Sequence, residues 1–137
     1  MTVRRAAAIV YAVVTAGVVA FQLALAAGAP WGEYAMGGAY SGQFPIELRV
    51  AAVVQAVVLA LAAGVILSRA GVALPRWSRA SRWLSWVVVG VATLSFVLNL
   101  ITPSAGERMI WAPVVFVLLA CSLLVATGKK PAEQPRA

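Results

Sequence analysis

Two short stretches set an acid just ahead of a base in a chain with few charges: PIELR, residues 45–49, with Glu47 and Arg49, and SAGER, residues 104–108, with Glu107 and Arg108. Three chemistries are open to such pairs. Arginine can hold a carboxylate bidentately as an ion pair, the guanidinium can bind an anionic group, or the carboxylate can be positioned for proton transfer. Glu33 is the one further acid between apolar segments, and Trp31, Asn99 and Trp111 lie close enough in sequence to join a cluster. Glu33, Glu47, Arg49, Asn99, Glu107, Arg108, Trp31 and Trp111 therefore form the candidate ligand-binding set.

Each glutamate also has a purely structural use. Ser104 and Glu107 match the S-x-x-E capping box, with the hydroxyl on one free amide and the carboxylate reaching back to another. Pro45 suits a first helical position, and Glu47 then falls in a first turn, where the helix dipole favours an anion. The arginines need compensation, because a cation near a helix N-terminus opposes that dipole. An ionic lock between two similar hairpins would supply it, and a bound headgroup is the sharper alternative.

A second polar set lies inside apolar runs. Tyr11, Thr15 and Gln22 are four and seven residues apart, so they share one helical face. Ala52, Ala56, Ala60 and Gly64 repeat every four residues, a small-residue ridge that permits close helix approach or a homo-oligomer contact. Gln55 borders it, and Ser95, Asn99 and Thr102 mark one side of a third segment. Gln22, Gln55 and Ser95 are the intramembrane polar residues of interest, and Asn99 and Gln55 are candidates for interhelical hydrogen bonds.

The elements that must position these residues follow from composition. The chain has 137 residues, 63% of them hydrophobic, with a mean hydropathy of +0.93, far from a soluble domain. Apolar segments at about 6–28, 48–68, 83–102 and 109–127 each approach the ~20 residues that span a bilayer. An all-α, polytopic, antiparallel four-transmembrane-helix bundle is expected over residues 1–128, with a polar, disordered tail at 129–137.

Arg4, Arg5, Arg69, Arg76, Arg79, Arg82, Lys129, Lys130 and Arg136 would fall on one side of four crossings, and only Arg49 and Arg108 on the other. The positive-inside rule then puts both termini in the cytoplasm of a bacterial cell with the protein in its plasma membrane. The first run is longer than a signal-peptide core, so it is expected to be retained as a helix. Its following loop carries aromatics among glycines and is expected to lie over the outer end of the bundle. The inner loop sets Trp77 and Trp83 beside arginines, a composition suited to anionic headgroups.

With no histidine and one cysteine, no cofactor or metal is expected. Nucleic acid is not expected either, because the basic residues follow membrane topology rather than one soluble face. No Asp, Glu, Lys, Arg or His stands in the middle of a span, unlike most proton-coupled transporters. Small multidrug exporters share the size but place a carboxylate in the first helix, and a glycine and arginine echo of fluoride channels falls in a loop. At Trp31-Gly32-Glu33-Tyr34, Gly37-Gly38, Pro45 with Arg49, and Asn99 through Glu107, Arg108 and Trp111, the chain resembles small four-helix bacterial membrane proteins of actinobacterial type. The resemblance implies the fold and carries no activity with it. The expected function is a membrane protein whose outer polar rim binds a lipid headgroup or protein partner; the alternative is an enzyme or transporter of a small or lipidic substrate at the same cluster.

Overall fold

The computed structural model describes residues 1–128; the tail at 129–137, for which disorder is expected, lies outside them. Four helices dominate: α1 (Val3–Ala27), α2 (Ile46–Arg69), α3 (Ser78–Ile101) and α4 (Ala105–Thr127), with no strand among the described residues. Each is long and apolar enough to cross a membrane, and the chain is all-helical as its apolar spacing predicts.

Local chemistry sets the helix ends. Thr2 caps α1 by accepting the Arg5 amide at 3.2 Å, and Gly28 closes it at φ 107° while its N–H bonds back to the Ala24 and Leu25 carbonyls. That left-handed turn suits glycine, which has no Cβ to clash. Pro45 is the N-cap of α2, one position earlier than the sequence suggests. Pro103 stops α3 by driving Thr102 to extended ψ 139°. Ser104 then caps α4, which continues through Pro113.

α1 packs closely on α2 and α3 on α4, whereas α2 and α3 meet more loosely. The start of α1 meets the end of α4, where Arg4 Nε donates to the Val125 carbonyl at 3.1 Å. The other end of α1 reaches the start of α4 through Phe21 and Trp111, edge to face at 4.7 Å. The hairpin turns at residues 28–45 and 102–104 thus share one end of the bundle, here the loop end; the chain start and the α2–α3 turn form the terminal end.

The apolar core is divided. One cluster, around Tyr11, Ile66, Leu118 and Val125, lies toward the terminal end; a smaller one of Leu25, Ala35, Phe44 and Ala52 lies at the loop end. The small-residue ridge is only partly used for packing, since Ala52, Ala56 and Gly64 are buried but Ala60 is exposed. Gly64 accommodates an indole: a Cβ there would lie 2.7 Å from the Trp77 ring. That Trp anchors the α2–α3 turn against α2.

Candidate functional site

At the loop end the α1–α2 loop is fastened to the α3–α4 hairpin by hydrogen bonds that centre on SAGER. Half of the expected capping box forms, with the Glu107 amide donating to Ser104 Oγ at 3.2 Å. The other half is diverted. Glu107 Oε2 accepts from the Thr102 hydroxyl and from the Gly37 amide, each at 2.9 Å, and the Ser104 amide turns to Thr102 Oγ1 at 3.4 Å. Ser104 Oγ also donates to the Glu33 carbonyl at 2.9 Å, and the Trp111 indole donates to the Tyr34 carbonyl at 2.7 Å. Tyr34 lies against Gly106, where a Cβ would come within 2.7 Å of its ring. A hydrogen bond to Glu33, with that carboxylate's charge, raises the Tyr34 hydroxyl pKa above its ordinary value.

The arginines find their compensation elsewhere than in the glutamates. Arg49 Nε donates to the Phe44 carbonyl at 2.8 Å, and its guanidinium lies beside Gly28, 3.5 Å from where a Cβ would stand. Arg108 Nη1 donates to the Thr102 carbonyl at 2.9 Å. Gly28 and Thr102 are the C-caps of α1 and α3. Each guanidinium therefore sits at the C-terminal end of the preceding helix, where a cation is favoured by the dipole. The ionic lock is replaced by this device, used once in each hairpin. The glutamates are left free of the arginines: Glu47 is exposed in the first turn of α2 and Glu33 is exposed in the loop.

Alongside the larger core cluster, and lined in part by its Tyr11, Val65, Val88 and Leu118, runs a cavity of about 1080 Å³. It extends along α3 from Ala80 to Ile101, roughly 30 Å at 1.5 Å per residue. Val58 and Leu61 of α2 and Val87, Val91 and Leu98 of α3 line it while also being exposed, so its mouth opens between α2 and α3, the loosely packed pair. On a membrane-crossing bundle that mouth faces acyl chains.

The cavity also sorts the candidate residues. Gln22, Gln55, Ser95, Asn99, Glu107 and Trp111 line it, together with Thr102 and Tyr34. Glu33, Glu47, Arg49, Arg108 and Trp31 do not; Trp31 instead stacks on Phe21 with centroids 6.1 Å apart. Apart from Tyr11 and Trp77, the polar side chains of the lining lie in its loop-side half. They are rich in acceptors. Gln22 is 8% exposed and its Oε1 has no hydrogen-bond partner; both bonds accepted by Glu107 go to one oxygen. Asn99 donates within its own helix, to the Ser95 carbonyl at 2.7 Å, and Gln55 is exposed, so neither amide joins two helices as expected. Sequence reasoning expected the loop over this end but did not name Phe21, Tyr34 or Met36 as lining residues, because which side chains reach the cavity depends on contacts between elements distant in sequence.

A four-helix membrane protein with a lateral, one-end-polar cavity is the class these features define. No family model, no curated protein and no solved structure matches the chain.

Proposed function

We propose that the protein is a multi-pass, antiparallel bundle of the bacterial cell membrane that holds one lipid or similar amphiphile in its lateral cavity. The apolar body lies between α2 and α3, and the head rests among Gln22, Asn99 and Glu107. One observation carries this reading: the cavity is apolar for most of its length and gathers its acceptors at one end. The guanidiniums of the rim play no part in it, since both are bonded to backbone carbonyls and neither lines the cavity. An amphiphile whose head donates hydrogen bonds fits such a site better than a bare anion, because unpaired buried acceptors are unfavourable.

Native mass spectrometry of the mildly extracted chain tests this. The parent protein is expected to retain one amphiphile and the groove-filling Val91→Trp variant to lose it, while Arg108→Gln keeps it. Equal retention by Val91→Trp would remove the cavity from consideration. Orientation is checked separately, in a chain with Cys121→Ala: Ser41→Cys should react with an impermeant thiol reagent in intact cells and Ser78→Cys should not, placing the loop end outside and both termini within.

A further inference from the structure

The terminal end holds a second pocket, of about 510 Å³, onto which α1, α2 and α3 bring Arg4, Arg5, Arg69, Arg79 and Arg82. Membrane orientation alone accounts for arginines near this surface. It does not account for their convergence, nor for guanidinium nitrogens left without acceptors. Nη2 of Arg4 and Nε of Arg69 are buried and have no hydrogen-bond partner among the described residues. Arg4 is held there through its Nε, which donates to the Val125 carbonyl at 3.1 Å. No carboxylate lines the pocket; Glu33, Glu47 and Glu107 are at the loop end, and the fourth acid, Glu133, lies outside the described residues. The N-termini of α1 and α3 and the C-termini of α2 and α4 all lie at this end, so the helix dipoles largely cancel and the positive potential is that of the arginines themselves.

We propose that this pocket binds a phosphate group. The fork of a guanidinium matches two phosphate oxygens, and several forks around one centre satisfy a tetrahedral anion better than a planar one. The phosphate has two sources. It can belong to a lipid headgroup, since exposed Trp77 and Trp83 border the region and indoles favour headgroup depth, or to a free phosphate compound from the adjoining water. Neither source depends on the lateral cavity.

The test uses the full chain, stripped of phospholipid in non-ionic detergent and titrated with phosphatidylglycerol and, separately, with inorganic phosphate. Binding is read by native mass spectrometry for the lipid and by thermal unfolding for both. Saturable binding of at least one is expected, weakened about tenfold or more in Arg4→Gln and Arg69→Gln by loss of charge-assisted bonds. Arg76→Gln, in the same turn but outside the pocket lining, should stay within about twofold because an exposed charge contributes little. Lipid binding that inorganic phosphate does not displace assigns the headgroup; displacement assigns the free compound as well. Arg69→Lys keeps the charge without the fork and guards against a glutamine variant that fails to fold; it should bind measurably more weakly than the parent. The proposal is overturned if neither probe binds, if Arg76→Gln weakens binding as much as Arg69→Gln, or if Arg69→Lys binds like the parent.

Discussion

The two ends of this bundle treat most of their arginines differently. At the loop end, Arg49 and Arg108 each bond a backbone carbonyl, of Phe44 and of Thr102, with the guanidinium beside the C-cap of the preceding helix, and the carboxylate of Glu107 holds a loop amide and a hydroxyl. At the terminal end five guanidiniums meet with no described acid among them. The difference teaches that charge at the first end is structural, whereas at the second only Arg4 makes such a bond, to the Val125 carbonyl, and among the described residues the other four guanidiniums are left available.

The largest effect should come from breaking the closed end at its backbone. A Cβ at Gly32 would collide with the Tyr40 carbonyl and stand 2.7 Å from that of Gly42, where Gly32 N–H already bonds at 3.0 Å. Neither carbonyl is a side-chain tip that can swing away. Gly32→Ala is expected to destabilise the fold by about 3 kcal/mol or more, the upper range for overpacking. Gly17→Ala, with open space around it, is the control and should be neutral or slightly stabilising through helix propensity. Thermal unfolding in detergent compares the two.

Next in size is Glu107→Ala, which leaves the Gly37 amide and the Thr102 hydroxyl without their acceptor; about 2–3 kcal/mol is expected from two bonds to a charged group. Limited proteolysis should then cut the α1–α2 loop, since two further fastenings, from Ser104 and Trp111, remain but the central one is gone. An uncut loop and unchanged melting would show that the carboxylate serves only as a cap.

Arg49→Met should lose about 1–2 kcal/mol, from one charge-assisted bond and one helix-end interaction. Combined with Glu107→Ala, its effect should add to within about 0.5 kcal/mol, because the two side chains share no partner. An ionic lock predicts otherwise: the double variant would recover much of what each single one loses. Recovery in the double-mutant cycle would restore the lock and undo the contrast between the ends.

Much of the fold was legible because its signals are local. Span lengths, Pro103 before the last helix, Ser104 as its cap and the buried face of Tyr11, Thr15 and Gln22 can all be read from neighbours in sequence. The candidate site was legible only by residue type. Charges in a sequence are paired by sign, and a backbone carbonyl has no letter, so the partners of Arg49 and Arg108 could not be seen. The diversion of Glu107 depends on Gly37, 70 residues away. Gln22, Asn99 and Glu107 stand in three different helices, and nothing in their spacing states that one cavity gathers them. The five terminal arginines were equally visible, but a topology rule explains them so readily that their convergence goes unasked.

The smallest effect carries the sharpest contrast, because it has the opposite sign. Removing an arginine at the loop end takes away a bonded group and should destabilise. Arg82 stands with Arg69 in a pocket without a described carboxylate, so its removal relieves repulsion between like charges. In phosphate-free detergent at low salt, Arg82→Gln is therefore expected to raise stability by a few tenths, about 0.2–0.5 kcal/mol, the size of a like-charge pair on a helix surface. The gain should fade in 1 M sodium chloride, where screening shortens the reach of a charge to about 3 Å. It should reverse when a phosphate ligand is present, since the arginine then has an anion to hold. A loss of stability at low salt, matching that of Arg49→Met, would mean that Arg82 too is bonded like the arginines of the loop end, as Arg4 is through the Val125 carbonyl, and that the two ends follow one rule.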